Sequence, residues 1–225
     1  MDRDKLIALL KKHHTAFSAV LNVYNHLPFN NSIKGKVKLS TGVTMLKKCR
    51  IVSGGTDNEI IIGDLSTLER CEIYIYGSHN TIRLGDRVSC TQACFCIEGD
   101  HNRIEIGYHT TLFGEIQLAA IEGTRITIGG ECIFSSKIEL RTGDSHTVLR
   151  KGTMERINPS RSIGIGDHVW VGTKVTMLKG TQVPRDCVVG AGSLLCRAYE
   201  HPNCVIAGVP AREVKQDIDW MRERI

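Results

Sequence analysis

One histidine sits where this chain interrupts its own pattern. His146 belongs to Thr142-Gly143-Asp144-Ser145-His146, at the start of a polar stretch that continues from Arg150 to Arg161. An imidazole of ordinary pKa, about 6.5, accepts a proton at neutral pH. It can therefore act as general base while a hydroxyl oxygen attacks a carbonyl, an effect worth about 10²–10⁴ in rate. A second group must orient the ring, and Asp144 or a backbone carbonyl would serve. Ser145 is not a matched nucleophile, because neighbouring residues of an extended chain point to opposite faces. The oxyanion formed in such an attack needs a donor, and backbone N–H groups near Gly172 are candidates.

Other residues with reactive side chains read as structural. The nine cysteines are odd in number and contain no Cys-x-x-Cys spacing. Cys90 and Cys96 lie six apart and continue from Leu84, which predicts that both point inward. Most cysteines are expected to be small core fillers in a reducing cytoplasm. His79 and His101 lie 22 residues apart and are expected to stack at one corner, about 4.8 Å apart. With His109 they suggest a metal site of the kind found in a carbonic anhydrase-like protein, but no third ligand is set by the spacing. Surface turn histidines are the expectation, with no metal. The charge of +5, from 29 basic and 24 acidic residues, is dispersed. It permits an acidic ligand and gives no basic stripe for nucleic acid.

The elements that must hold His146 follow from two periods. Ile165, Val171, Met177, Val183, Val189 and Leu195 recur every six residues. A helix repeats every three to four positions and a lone strand every two. Six fits a coil of short strands that sends one side chain inward per strand. Upstream, Ile60-x-Ile62-Gly63 returns as Ile82-x-Leu84-Gly85, Ile104-x-Ile106-Gly107 and Ile126-x-Ile128-Gly129, in steps of 22. Gly55, Gly77 and Gly99 keep that step, and so do Asn58, Asn80 and Asn102. Glycine and asparagine tolerate left-handed corners, and Asn80 and Asn102 are placed to form a stacked amide ladder. Hydrophobic content of 41% with only 5% aromatic residues suits a narrow prism filled by aliphatic side chains.

The period breaks once. From Ile128-Gly129 to Ile165-Gly166 the step is 37, which leaves about 15 residues for a loop with His146 at its base. Phe134 and Leu140 still keep the beat of six. Long excursions from a compact scaffold are more often functional than idle. At the N-terminus, Leu6, Leu9, Leu10, Phe17, Val20, Leu21 and Val23 predict an amphipathic helix that caps the first coil. At the C-terminus, Val214, Ile218 and Trp220-Met221 predict a short charged helix. The expected division is a helical cap over 1–28, a coil over 29–211 with an extended loop over 142–161, and a helix over 212–225. No apolar run reaches the roughly 20 residues that span a bilayer, and no signal peptide is read.

Several motifs together resemble the hexapeptide-repeat acyltransferases. They are Asp144-Ser145-His146, Arg156-Ile157-Asn158-Pro159, Ile165-Gly166-Asp167-His168-Val169-Trp170-Val171-Gly172, Val189-Gly190-Ala191-Gly192-Ser193 and Ala207-Gly208-Val209-Pro210-Ala211-Arg212. The loop histidine followed 24 residues later by Trp170 is similar to the capsular polysaccharide O-acetyltransferases, including those acting on polysialic acid. The resemblance implies an all-β fold, a left-handed parallel β-helix, and a homotrimer with sites between neighbouring prisms. It implies transfer of an acetyl group from acetyl-CoA to a hydroxyl of a carbohydrate, and the basic balance of the chain allows an acidic one. His146 would be the general base and Trp170 would line the site. Gly172, Thr173, Ala191, Cys196, Arg197, Pro210, Ala211 and Arg212 would contact the donor. Where this chain has Cys196-Arg197, family members often carry Thr-Lys, so the hydroxyl is lost at 196 and a cation is kept at 197. Arg197, Arg212 and Lys215 would offer cations to the phosphates of CoA. A small-sugar acceptor, a metal-dependent hydratase and a non-catalytic β-helical assembly are the competing expectations.

Overall fold

The computed structural model describes residues 13–223 and 225. The chain winds as a parallel β-helix of about seven coils. Three ladders of short parallel strands form its faces. The first runs from Met45–Lys47 and Thr67–Glu69 to Trp170–Val171, Val188–Val189 and Val205–Gly208. The second runs from Ser32–Gly35 and Arg50–Ser53 to Ile138–Arg141, Thr176–Met177 and Leu194–Leu195. The third runs from Lys38–Thr41 to Gln182–Val183 and is a seven-stranded sheet. The strands Ser89–Glu98 and Thr111–Ile121 bend through the first corner and serve both adjoining faces.

The two periods are the rungs of this coil. Ile60, Ile82, Ile104, Ile126 and Ile163 stand in direct register, and all five are buried. The six-residue series from Ile165 to Leu195 is buried throughout, as are Phe134 and Leu140. Each such aliphatic side chain contributes about 1.5–3 kcal/mol by leaving water. One inward assignment is corrected. Cys90 is buried, but Cys96 is half-exposed and Phe95 takes the core position beside it. The corner at Gln92 holds one residue fewer than the next coil, where Gly114 and Glu115 interrupt the register. The beat there is therefore five rather than six.

The corners turn through left-handed residues, mostly not glycine or asparagine. His79 (φ 58°) and His101 (φ 61°) take that conformation, and Asn80 and Asn102 do not. The asparagines instead build the ladder. Asn58 Oδ1 accepts from Asn80 N at 3.0 Å, and Asn80 Oδ1 accepts from Asn102 N at 2.8 Å. Asn102 Oδ1 accepts from Thr124 N at 3.1 Å, and Thr124 and Thr142 hydroxyls join at 2.6 Å. Gly77 is required beside this column, since a Cβ there would stand 2.2 Å from Gly99 O. Asn80→Ala is expected to destabilise the coil by about 2–3 kcal/mol, because it strands buried donors and acceptors on two rungs. Urea unfolding measures that loss.

Polar side chains close the N-terminal end. A helix spans His14–His26, whereas Leu6, Leu9 and Leu10 lie outside the described residues. Val20 and Val23 are exposed, and the buried residue of the helix is Asn25. Its amide donates to Thr44 O and accepts from Leu46 N, both at 2.9 Å. Asn31 likewise donates to Leu46 O at 3.0 Å and accepts from Cys49 N at 2.8 Å. These amides stand in for a preceding coil, because one donor and one acceptor match what an open strand edge lacks.

The C-terminal helix expected over 212–225 does not form among the described residues. Ala211–Lys215 is a strand that folds back antiparallel on Val205–Gly208. The last coil presents unpaired backbone groups, and a returning strand satisfies them where a helix would not. Among the described residues, no helix is long and apolar enough to cross a membrane.

Candidate active site

The loop leaves from the second corner, between the second and third faces. This is the corner that carries Asn58, Asn80 and Asn102 in the upstream coils. Thr142 O accepts from Arg161 N at 2.9 Å, so the two ends of the loop meet at its root. Gly143 packs closely there, since a Cβ would stand 2.4 Å from Ile121 Cδ1 and would displace that side chain. Beyond the root, Val148 O accepts from Ile157 N and Arg150 N donates to Glu155 O, both at 2.9 Å. Leu149 and Arg156 form an antiparallel bridge.

One buried side chain fixes the segment that carries the histidine. Asn158 is 8% exposed. Its Nδ2 donates to His146 O at 2.8 Å and to Asp144 Oδ2 at 2.9 Å, and its Oδ1 accepts from Val148 N at 2.7 Å. The backbone on both sides of His146 is thereby held while the ring stays exposed. Asp144 binds the Lys179 ammonium as well as Asn158, and has no contact with the His146 ring among the described hydrogen bonds. It orients the loop rather than the imidazole. Lys179 also donates to Asn158 O at 3.2 Å. On the other flank, Arg156 donates to Glu122 Oε1 at 2.8 Å.

Two carboxylates therefore hold the loop as anions. The Lys179 ammonium, then the Asn158 amide, keeps Asp144 below the usual carboxylate range. The Arg156 guanidinium, then Ser160, does the same for Glu122. A depressed folded pKa stabilises above the unfolded pKa, and that contribution disappears as pH falls through the folded value. The loop is expected to loosen on acidification below about pH 4, ahead of the coil. Amide chemical shifts of residues 144–160, followed by NMR against those of the third face, test this.

The other candidate residues divide between corners. Gly172-Thr173, Gly190-Ala191-Gly192 and Ala207-Gly208 stack at the first corner, where Gly172 N donates to Val189 O at 2.8 Å. That bond commits the Gly172 N–H to the coil, so it is not a free oxyanion donor. Arg212 stands opposite Ala207 and Ala211 opposite Gly208, with Pro210 in the turn between these strands. Gly172, Thr173, Gly190, Ala191, Gly192, Ala207 and Gly208 make a narrow ledge of small residues along this corner, with the exposed Lys174 beside it and the Arg212 cation at its end. Such a ledge fits a thin extended chain ending in phosphate. Cys196 and Arg197 lie instead at the second corner, one coil beyond Lys179, and both are exposed. Arg197 lies over the Tyr199 ring at 5.3 Å.

Trp170 opens the first face, beside the third corner, and is 43% exposed. A single prism therefore keeps Trp170 and His146 at different corners. Trp220 packs beside Trp170, 6.2 Å between ring centroids, and stacks on His168 at 4.2 Å. Its indole N–H donates to His168 O at 2.9 Å. Arg222 extends the tail and donates to His109 O at 2.7 Å. Lys179 and the Trp220 contacts were not legible in the sequence. A lysine six residues before Arg185 carries no periodic signal, and Trp220 reads as an apolar contact of a helix, which names no partner.

The histidine column is structural at 5.0 Å between the His79 and His101 rings. His109 is at the third corner, paired with Glu131 at 2.8 Å, which separates it from that column. Among the described residues, no group of three or more His, Cys, Asp and Glu is placed to hold a metal. The nine cysteines are free thiols.

No family model matches the chain. The polysialic acid O-acetyltransferase of Neisseria meningitidis is 33% identical over 113 residues, 50% of this chain and 53% of that protein. The polysialic acid O-acetyltransferase of Escherichia coli O1:K1 is 30% identical over 97 residues, 43% of this chain and 31% of that protein. The chain thus spans about half of the first curated relative and less than a third of the second. Among solved structures, the polysialic acid O-acetyltransferase OatWY superposes with a TM-score of 0.80 at 27% identity, over 87% of this chain and 92% of that one. The resemblance carried by the loop and coil motifs therefore holds: both of these curated relatives and the superposed structure are polysialic acid O-acetyltransferases.

Proposed function

We propose that this protein is an acetyl-CoA-dependent O-acetyltransferase whose acceptor is a sugar hydroxyl of a capsular or other surface polysaccharide. The observation that carries this reading is the exposed His146 ring on a segment clamped by buried Asn158. A general base needs a fixed backbone and an accessible nitrogen, and this loop supplies both. In the proposed step His146 takes the acceptor hydroxyl proton while that oxygen attacks the thioester carbonyl. The C–O bond forms, the C–S bond breaks, and the imidazolium returns the proton to the departing thiolate. Among the described residues no nucleophile is hydrogen-bonded to the His146 ring, which favours direct transfer over an acyl-enzyme.

Donor binding is assigned to the first corner, with Gly172, Thr173 and Ala191 along the ledge and Pro210, Ala211 and Arg212 at its end. Cys196 and Arg197 would reach the donor from the second corner, and Lys215 adds a further cation. Trp170 is proposed to line the site. Because one prism separates Trp170 from His146, we infer a homotrimer in which neighbouring copies complete each site. A cytoplasmic location fits nine cysteines that are odd in number and show no Cys-x-x-Cys spacing.

Purified protein incubated with acetyl-CoA and a panel of polysaccharides, polysialic acid included, tests the assignment. Thiol release matched by acetyl groups on the acceptor is expected. Thiol release that no carbohydrate in the panel increases would overturn it.

A further inference from the structure

Charges across the ladders follow a rule with one exception. Lys38 faces Glu59, Lys47 faces Glu69, Arg50 faces Glu72 and Arg83 faces Glu105 in direct register. Like charges directly opposite are destabilising. Among the described strand pairings, the one pair of like charges in direct register is Arg103 and Arg125 on the third face. Both are exposed, and neither has an ion-pair partner among the described residues.

The position of this exception is informative. Arg103 and Arg125 begin their strands, at the edge next to the second corner. The next rung there is Ser162, whose hydroxyl accepts from Arg125 N at 3.0 Å, preceded by Arg161 at the root of the loop. Arg161 is also exposed and without an ion-pair partner among the described residues. Arg103 and Arg125 thus occupy consecutive rungs, about 4.8 Å apart at the usual strand spacing, and Arg161 stands one position before the next rung, its guanidinium beside Gly180 of the following coil. The neighbouring acids are otherwise engaged. Glu122 holds Arg156, Asp100 accepts from Ser78 N at 2.6 Å, and Glu105 faces Arg83.

We propose that this edge is an acceptor track, on which Arg161, Arg125 and Arg103 bind successive acidic groups of an anionic polysaccharide. The inference rests on the O-acetyltransferase reading and deepens it. The track starts at the loop root, so a chain lying on it reaches the loop that carries His146 and runs toward the N-terminal coils. A row of single cations at rung spacing suits charges repeated along an extended chain. A compact anion would instead be gripped by cations that converge. The acceptor is therefore read at sites remote from the reacting hydroxyl, and binding depends on polymer length.

Calorimetric titration without acetyl-CoA tests this, using polysialic acid fractions of graded length, polygalacturonate, neutral dextran and CoA. Affinity for one of the acidic polymers should rise with chain length and fall with salt, and dextran should not bind. The R103Q/R125Q double variant should bind the longest fraction on the order of tenfold more weakly. R103K/R125K should restore most of that affinity, and R83Q should match the wild type. The track is overturned if the double variant binds long polymer as the wild type does. It is equally overturned if the wild type binds neither acidic polymer, or if the variant's loss falls on CoA instead. Acetylation in the same preparations separates the two readings. Transfer with an indifferent double variant rejects the track alone, and polymer binding without transfer rejects the enzyme alone.

Discussion

Replacing His146 with alanine is expected to lower acetyl transfer by about 10²–10⁴ while thermal unfolding is unchanged. The ring is exposed and makes no hydrogen bond among the described residues, so its removal costs the coil nothing it uses. The backbone carbonyl of His146, which accepts from Asn158, stays in place in the variant. Affinity for CoA should also persist, because the small-residue ledge and Arg212 lie at another corner. Steady-state rates with saturating acetyl-CoA measure the loss. A variant that turns over normally would remove His146 from the chemistry and leave the fold intact.

Asn158→Ala is expected to have the second largest effect, lowering kcat by about 10², the penalty for a reacting group misplaced by roughly 1 Å. The mutation leaves His146 O, Val148 N and Asp144 without their shared partner. Lys179 would keep Asp144, so the root of the loop survives while the histidine segment loosens. Asn158→Asp should be no better. A carboxylate has no proton to give His146 O, and it would face Asp144 at hydrogen-bond distance. Faster amide exchange across 144–149, with the rungs of the third face still protected, accompanies the predicted loss. Full activity in Asn158→Ala would mean that loop rigidity does not position the base.

The coil was legible because its signal is local and repeated. Ile60, Ile82, Ile104 and Ile126 announce their register by a constant step, and the amides of Asn58, Asn80 and Asn102 fall into line with them. The loop was legible as the place where that step fails. What escaped depends on contacts between distant residues. Val214, Ile218 and Trp220 carry helical spacing, but the open edge of Val205–Gly208 selects a strand for Ala211–Lys215. Cys96 keeps the beat on paper, yet a corner one residue shorter turns it outward.

The candidate residues could be named one by one from the sequence, but not their arrangement. Thr173 and Ala191 share a corner because 18 residues make one full coil there. Cys196, five positions beyond Ala191, has already passed to the next corner. Asp144 is adjacent to His146 in sequence, but Lys179, 35 residues later, claims its carboxylate. Spacing reveals how far round the coil a residue lies. It does not reveal which side chain another coil will send to meet it.

The most direct measurement is a crystal structure of the protein with CoA bound. The expected result places the CoA sulfur on the first-corner ledge of one copy, with a His146 ring nitrogen within hydrogen-bond reach of the acceptor position beside it and Trp170 of an adjoining copy against the same pocket. CoA bound at a site remote from every His146 ring in the assembly would contradict the account.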